Sequence, residues 1–331
     1  MRLCKPSYEI WEQPAGLEGI YKMIEKAGRV CYKSEDKITE DSAKPFVDRM
    51  IKSGHGAMLE HGTVYLKVFN VIENSELIDK YKSNKYSVVK EGTEVYNCHG
   101  DILYGSCKCI TTNYRVLVEN GWLDDLQYIC EPTEFHAKRI TVHFVCDRGV
   151  SHEFVRHRVF SFAQESTRYC NYSKDKFDNE VTFIIPCWLN CDGQVIHKGD
   201  FEKSGSGSVD SSIFINSLLD SESSYLYLLK EGWKPQEARA VLPNALKTEL
   251  VMTGFVDDWW GEYLAIDKAT GLIDKMINGR NYKEVDAIDK EKYRIVEKGF
   301  FPLRCSKGAH PQAQELAIPL RNEFVKRGYI K

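Results

Sequence analysis

The chain has 331 residues, of which 43% are hydrophobic and 28% are charged, and its formal net charge is −3. This balance is typical of a globular protein and excludes a disordered or fibrous one, while a pI near 6.3 argues against a surface that coats nucleic acid. No stretch reaches the roughly 18 apolar residues of a membrane span, and the first residues lack the apolar core of a secretion signal. We therefore expect a cytoplasmic protein with neither a membrane nor a nucleic acid as partner.

Two helices and a strand are predicted in the first 70 residues. Leu17, Ile20 and Ile24 recur at helical spacing and indicate an amphipathic helix over residues 16–27. A second helix is predicted from about Ser42 to residue 53. A β-rich run at 63–69 follows and predicts a strand, so that His55, Glu60 and His61 lie at its entrance.

The middle of the chain is irregular in pattern between residues 70 and 139, with one short helix predicted near its end. We interpret this segment as an elaboration of a single domain spanning residues 1–331. A strand is predicted at 140–147. A helix then opens near Gly149 and is predicted to run through Arg156, His157 and Arg158.

The remaining elements complete an α+β chain. They are a strand at 181–186, a linker at 204–208, a helix at 212–231, a helical turn from Pro235, a strand at 247–254, a charged insertion at 260–298 with its own helical pieces, and a helix at 310–328 preceded by a loop that holds Arg304. We expect a mixed or antiparallel sheet, built from the strands near 63–69, 140–147, 181–186 and 247–254, to pack against helices.

The cysteines do not indicate a metal site or disulfides. There are 11 of them, scattered along the chain, and in the absence of a secretion signal reduced thiols are expected. The densest group is Cys98, His99, Cys107 and Cys109, which contains no C-x-x-C pair. We therefore predict no bound metal.

A cationic stretch, RHRVFSFAQESTRY at residues 156–169, is the strongest functional signal. Arginine presents a planar fork of donors that matches phosphate or carboxylate oxygens, and it keeps its charge. Several arginines on a partly apolar stretch therefore indicate an anionic ligand. The alternative is that they form ion pairs with the nearby carboxylates of Glu153 and Glu165.

The spacing of this stretch resembles a family signature. Arg-His-Arg, seven residues, then Ser and x-Arg-Tyr is similar to the signature of the flavin-dependent thymidylate synthases. Other segments occur in the family's order, namely His55 with Glu60-His61, the ARAVLP segment with Arg239, and Leu303-Arg304 followed by His310 and Gln312.

The resemblance implies an activity and an assembly. Members of the family make dTMP from dUMP, with 5,10-methylenetetrahydrofolate as carbon donor and with FAD passing hydride that comes from NADPH. It further implies a homotetramer whose active sites are shared between subunits. No G-x-G-x-x-G follows any predicted strand, so the sequence names no NADPH site.

The resemblance also assigns roles to residues. Arg304 matches the catalytic arginine that holds the uracil edge, where a guanidinium would favour the ionised, more nucleophilic ring. The implied dUMP contacts are Glu153, Arg156, Gln164, Glu165, Ser166, Thr167, Arg168, Arg239 and Arg304. The implied FAD contacts are His55, Ala57, Glu60, Arg156, His157, Arg158, Gln164 and His310. For Glu60, a role as a helix cap or a salt-bridge partner is the alternative.

Four features depart from the family pattern, and one of them is Gln164, which stands where the family often has an acidic residue. Ala163 stands where the family often has Asn. The family's Asn-x-Arg, which helps hold FAD, is replaced here by Phe255-Val256-Asp257. After His310 the order His-Pro-Gln places Gln312 one residue later than the family pattern does.

Other functions compete with this interpretation. A thiolate-dependent synthase would need Cys170 or Cys187 as nucleophile, yet neither is embedded in a matching motif. Ser166 lacks the Gly-x-Ser-x-Gly elbow of a hydrolase nucleophile. A non-catalytic nucleotide- or RNA-binding protein could use the arginines for phosphates and Tyr169 for stacking. A relative that binds dUMP without turning it over is the third alternative.

Overall fold

A computed structural model describes residues 1–69, 73–98, 101–189 and 209–329. The predicted linker at 204–208 lies outside this range. The strands are β1 Arg2–Cys4, β2 Ser7–Trp11, β3 Thr63–Val68, β4 Val88–Cys98, β5 Asp101–Asn113, β6 Arg139–Asp147, β7 Ser161–Gln164, β8 Thr182–Ile184, β9 Lys247–Phe255, β10 Glu262–Asp267, β11 Ile273–Asn278 and β12 Tyr293–Lys298.

The helices alternate with these strands along the chain. They are α1 Gly16–Tyr32, α2 Ala43–Lys52, α3 Gly56–Leu59, α4 Ser75–Lys82, α5 Tyr114–Asn120, α6 Arg148–Phe154, α7 Val209–Lys230, α8 Pro235–Ala238, α9 Val256–Trp260, α10 Phe300–Cys305 and α11 Pro311–Lys326. Among the described residues, none of the helices is both long and apolar enough to cross a membrane.

The central sheet has the strand order β2-β6-β9-β7, and every neighbouring pair is antiparallel. β6 and β9 pair along their whole lengths, from Arg139 opposite Phe255 to Asp147 opposite Lys247. Alternate side chains of a strand point to opposite faces. Val251 therefore packs against the α1 layer, whereas Met252 packs against the layer formed by α10 and α11. The predicted α+β class is confirmed.

The predicted strand partners are wrong in part. Only the strands at 140–147 and 247–254 pair with each other. β3 instead belongs to a second antiparallel sheet of order β3-β5-β4, and β8 pairs in parallel with β1. Hydrophobic pattern identifies a strand but not its neighbour, and the neighbours of β3 and β8 were not predicted as strands.

The segment at 70–139 is more regular than its sequence suggests. It contains α4, the long hairpin β4–β5 and α5. Charged residues and glycines interrupt the alternation that predicts a strand. Gly92 shows why a glycine is present, since a Cβ there would lie 2.8 Å from Cys109 Sγ and 2.9 Å from Cys107 Sγ. This close approach requires the smallest residue.

The insertion at 260–298 is a sheet and not the set of helical pieces that was predicted. β10 lies between β11 and β12 in an antiparallel sheet, and a 3-10 segment at 279–287 is its helical part. Most of its lysines and aspartates lie in turns and in the 3-10 segment, and β11 is exposed along most of its length, so the alternation of apolar and polar residues that predicts a strand is lost.

An aromatic cluster fixes the layer that carries α6 and α10. Phe160 lies 4.7 Å from Trp259, which lies 4.9 Å from Phe300, and Phe154 lies 5.0 Å from Phe300, measured between ring centroids. Such pairs each add about 0.5–1.5 kcal/mol beyond the burial of their area. The cluster therefore sets the backbone that presents His157 and Arg304.

Candidate functional site

The Arg-His-Arg triplet lies in the turn after α6. The prediction that it lies inside the helix is therefore wrong. Asp147 begins the helix by accepting a hydrogen bond from the Val150 N–H at 2.7 Å, and α6 ends at Phe154. Arg156 and Arg158 are exposed, while His157 between them is buried. Leaving the helix turns the two guanidinium groups outward and the imidazole inward.

Arg304 occupies the short helix α10, whereas a loop was predicted. Its Nε donates to His157 Nε2 at 3.0 Å, and its two terminal nitrogens donate to Glu153 Oε2 and to the Glu153 carbonyl, each at 2.7 Å. Burial, with the charge of Arg156, lowers its pKa, although the charge of Glu153 opposes this shift. The structure thus assembles three predicted site residues from two distant parts of the chain.

His157 is neutral in this arrangement. Burial, followed by the charge of Arg304, lowers its pKa from 6.5 to about 4. Because Nε2 accepts from Arg304, the ring carries its proton on Nδ1. The Phe300 ring lies 5.3 Å from the imidazole and supports its position.

A second group of predicted residues forms a loop that begins at Gln164, the last residue of β7. Because the resemblance implies that these residues contact dUMP, we call residues 164–168 the nucleotide loop. The Ser166 N–H donates to the Cys31 carbonyl at 3.0 Å, and the Arg168 N–H donates to Ser166 Oγ at 3.3 Å. Arg239 donates to Thr167 Oγ1 at 2.8 Å. Ser166, Arg168 and Arg239 thus meet at one edge of the central sheet.

Gln164 links the two groups. Its side-chain amide donates to Ser151 Oγ at 2.9 Å and to Thr248 Oγ1 at 3.2 Å. Ser151 belongs to α6, half a turn before Glu153. The nucleotide loop is therefore joined to the helix that carries Glu153.

Glu165 is buried inside the protein. Its carboxylate accepts hydrogen bonds from Tyr172 at 3.1 Å and from Lys247 at 3.0 Å. Within the described part of the chain, Arg156, Arg158 and Arg168 form no ion pair with Glu153 or Glu165. The alternative that nearby carboxylates consume these three charges therefore finds no support.

The residues near His55 form a third group. His55 Nδ1 lies 2.9 Å from the Tyr32 hydroxyl, and the Tyr32 ring lies 5.5 Å from the Tyr169 ring, next to the nucleotide loop. Glu60 accepts a hydrogen bond from Arg115 at 2.6 Å, which agrees with the alternative that Glu60 is a salt-bridge partner. Ala57 is exposed in α3.

A cleft of about 660 Å³ opens beside His55. Its cationic lining residues were missed in the sequence because they are far apart along the chain and form no local motif. They are Arg29, Lys33, Lys37, Arg49 and Lys176.

His310 lies at a cavity of about 240 Å³ that Glu153 also lines. It precedes α11, and its ring lies 5.9 Å from the Trp188 ring. Gln312 donates to Asp147 Oδ2 at 2.5 Å and so ties α11 to the start of α6. Burial raises the pKa of Asp147.

The tripeptide Phe255-Val256-Asp257 places a carboxylate where the family has an arginine. Asp257 pairs with Arg280 of the insertion at 2.6 Å. Donors that could hold an anionic cofactor are instead present in the turn after α6. They are the exposed guanidiniums of Arg156 and Arg158, together with the neutral imidazole between them. This donor set fits a group that carries phosphates.

Every described cysteine whose pKa is shifted has a raised pKa. Burial and the charge of Glu165 raise the pKa of Cys170 to about 12, and burial raises the pKa of Cys187. A nucleophilic cysteine needs a lowered pKa. Over the residues with described positions, no cluster of three or more His, Cys, Asp or Glu side chains could hold a metal ion.

Comparison with known proteins gives a family for part of the chain. The family model "Thymidylate synthase complementing protein" matches residues 112–263. The flavin-dependent thymidylate synthase of Corynebacterium efficiens is 36% identical over 118 residues, which cover 34% of this chain and 42% of that protein. The enzyme of the same name from Corynebacterium aurimucosum is 23% identical over 257 residues, covering 75% and 68% of the two chains.

These matches show that the chain is related to the flavin-dependent thymidylate synthases, and the resemblance predicted from its sequence is confirmed. With the Pyrococcus abyssi enzyme, 28% identical, the match covers 37% of the relative. The chain thus spans about two fifths of the length of the C. efficiens and P. abyssi relatives, at 42% and 37%.

A solved structure, the UMP/dUMP methylase PolB from Streptomyces cacaoi bound with 5-Br dUMP, is also similar. It is 16% identical, with a TM-score of 0.37, and the match covers 98% of this chain and 93% of that one.

Proposed function

We propose that this protein is a flavin-dependent thymidylate synthase, which methylates dUMP to dTMP with 5,10-methylenetetrahydrofolate as carbon donor and with hydride from NADPH passed through FAD. The proposal rests on three exposed arginines, Arg156, Arg158 and Arg168, which form no ion pair with any described carboxylate. It also rests on the group formed by Arg304, His157 and Glu153. The names of the relatives support the same activity.

The nucleotide loop would hold the phosphate of dUMP. Ser166 and Arg168 lie on the loop, and Arg239 reaches it through Thr167. Guanidinium groups bind phosphate oxygens in charge-assisted hydrogen bonds, and the Ser166 hydroxyl can donate to the same oxygens. Gln164 and Glu165 position this loop from its buried side.

Arg304 would hold the pyrimidine. A guanidinium has five N–H donors, and three of them are used by His157 and Glu153. Two remain for the uracil edge. Because the group is half-buried, its charge acts in a medium of lower dielectric than water and would stabilise negative charge on the ring more strongly.

FAD would be held by His55, Ala57, Glu60, Arg156, His157, Arg158, Gln164 and His310. When bound, the flavin supplies the hydride that reduces the transferred carbon unit. The buried thiols of Cys146 and Cys170 have raised pKa values, which agrees with a reaction that forms no adduct with a cysteine.

The proposal includes a single domain over residues 1–331 and a homotetramer with shared active sites. Two of the predicted FAD residues, His55 and Ala57, are exposed on one protomer, and this exposure supports a shared site. Joining a site from two subunits would bury them.

Visible spectroscopy of the purified protein is the first test. The proposal predicts a yellow protein with oxidised-flavin absorption, and dTMP formation when dUMP, methylenetetrahydrofolate and NADPH are supplied together. A colourless protein that retains RNA would instead support the nucleotide- or RNA-binding alternative. A yellow protein that binds dUMP but forms no dTMP would support the relative without turnover.

A further inference from the structure

A chain of four charged side chains runs beneath the nucleotide loop. It links Glu165, Lys247, Glu249 and Lys33, and we call it the ionic chain. We infer that Lys247 is a positioning residue that holds the nucleotide loop in its binding conformation. This inference rests on the proposed function, in which the loop binds the phosphate of dUMP.

The first link is the pair between Lys247 and Glu165. The Lys247 ammonium donates to Glu165 Oε2 at 3.0 Å, and the Tyr172 hydroxyl donates to Oε1 at 3.1 Å. Glu165 is 2% exposed. Its carboxylate therefore depends on these partners, because a buried charge without a partner is strongly unfavourable.

The second link joins Lys247 to Glu249, two residues along β9. Glu249 also accepts from Lys33 at 2.8 Å and faces His143 at 2.9 Å. Burial raises the pKa of Glu249, but the hydrogen bond from His143 and the charges of Lys247 and Lys33 outweigh it and lower the pKa. Glu249 thus stays ionised between two lysines.

The ionic chain ends at Lys33, the residue that follows α1. Lys33 caps this helix with φ 47° and ψ 58°, a left-handed conformation that favours glycine. Besides Glu249, its ammonium pairs with Glu35 at 2.8 Å, and its carbonyl accepts from Lys176 at 3.0 Å. These contacts hold a strained turn that lies next to Cys31.

Backbone hydrogen bonds connect the nucleotide loop to the same two supports. The Glu165 N–H donates to the Glu249 carbonyl at 2.8 Å, and the Ser166 N–H donates to the Cys31 carbonyl at 3.0 Å. Backbone hydrogen bonds therefore connect the loop to β9 and to the end of α1, and the ionic chain connects the same two elements through side chains. Lys247 is the member that touches the loop directly.

A buried ion pair contributes little net stability, because desolvation offsets the attraction. The presence of this ion pair beneath the nucleotide loop is therefore better explained by a role in positioning the loop than by a contribution to the stability of the protein. A displacement of about 1 Å at a binding group can cost roughly a hundredfold in rate. Loosening Glu165 would move Ser166 and Thr167, the neighbours that contribute phosphate donors.

The elaboration at 70–139 contains a matched control. Asp125 is buried and accepts from Lys80 at 2.7 Å and from the Tyr81 hydroxyl at 2.7 Å, as Glu165 accepts from Lys247 and Tyr172. Lys80 and Asp125 belong to α4 and to the 3-10 segment at 123–128, away from the nucleotide loop. Lys80→Met therefore removes the same kind of contact without touching the loop.

The test compares Lys247→Met with Lys80→Met in the flavin-loaded, full-length protein. We expect Lys247→Met to raise the KM for dUMP about tenfold or more, and to speed amide hydrogen exchange at residues 164–168. The flavin spectrum should not change. Lys247→Arg should restore most of the affinity, since it keeps a charged donor, and Lys80→Met should leave both readouts at the wild-type level.

Lys247→Met with wild-type KM and wild-type loop exchange would overturn the inference, as would an equal effect of Lys80→Met. Should Lys247→Met fail to fold, the double variant K247M/E165Q removes both charges and should fold with the loop still loosened; wild-type exchange in that variant would also contradict the inference. If the wild-type protein forms no dTMP, the proposed function fails, and loop exchange still decides the role of Lys247.

Discussion

Three arginines around the central sheet differ in their ion pairing from two arginines in the elaboration at 70–139 and the insertion at 260–298. Around the central sheet, Arg156, Arg158 and Arg168 are exposed and none has a carboxylate partner within the described ranges. In the elaboration and the insertion, Arg115 pairs with Glu60 and Glu119, and Arg280 pairs with Asp257. The protein therefore neutralises Arg115 and Arg280 itself, whereas Arg156, Arg158 and Arg168 remain open to the anionic ligand that we propose.

The two regions also differ in packing. The central sheet has helices on both faces, and Phe300 is fully buried against the aromatic rings beneath the site. The outer strand β11 of the insertion instead leaves Met276 65% exposed. Substitutions should therefore cost much in the centre and little in the insertion.

Phe300→Ala is expected to have the largest effect. Truncation of a fully buried phenylalanine costs about 3–5 kcal/mol of unfolding free energy, and Phe300 contacts Phe154, His157 and Trp259. Met276→Ala should cost less than about 0.5 kcal/mol. Urea denaturation measures both, and equal losses would contradict the difference in packing.

Arg304→Ala should come next, with an effect on rate. Loss of a donor that stabilises charge in the transition state lowers kcat by about 10²–10³. The flavin spectrum should remain, since Arg304 is assigned to dUMP. Arg294→Ala, in the exposed part of β12, is the control and should keep the wild-type kcat for dTMP formation. Full activity of Arg304→Ala would refute the role of this residue.

Arg239→Ala should weaken the binding of dUMP. A hydrogen bond to a charged group contributes about 1.5–3 kcal/mol, so the KM for dUMP should rise roughly 10- to 100-fold. Deoxyuridine, which has no phosphate, should react equally poorly with both proteins. Arg280→Ala, which removes an arginine already paired with Asp257, should leave the KM for dUMP unchanged. A loss that is equal for the two substrates would place Arg239 away from the phosphate.

Local sequence groups the candidate site residues but does not reveal the strand order of the sheet around them. Arg156, Ser166 and Arg168 lie within 13 positions, so a short motif and its resemblance to a family signature were enough to propose them as site residues. Arg304 was assigned by resemblance, and it lies beside Glu153 and His157 although 147 residues separate it from His157. Strand partners such as β5 for β3 depend on contacts between distant segments that no local pattern records.

The ionic chain was not predicted for a related reason. Lys33 and Lys247 both contact the carboxylate of Glu249, and 216 residues separate Lys33 from Glu249 in the sequence. Isolated lysines and glutamates are usually solvated, and only burial shows that these are not. The same holds for the β-sheet of the insertion, where charged residues on β11 and β12 hide the alternation.

His157→Gln tests the smallest expected effect, a change in the pH dependence of stability. The folded protein lowers the pKa of His157 from 6.5 to about 4, through burial and then the charge of Arg304. Between these pH values the unfolded chain binds more protons, so stability is complete above pH 6.5 and is lost as the pH falls toward 4.

The slope from one such group is at most about 1.4 kcal/mol per pH unit. Gln cannot take up this proton, but its carbonyl oxygen can still accept from Arg304, so the variant should lose stability less steeply in the same range. His152→Gln, an exposed neighbour in α6, serves as the control. His61, whose pKa burial lowers to about 3, titrates in all three proteins and cancels in the comparison. An unchanged slope in His157→Gln would mean that burial and the charge of Arg304 do not hold the imidazole neutral. The arrangement of donors left on Arg304 would then have to be different.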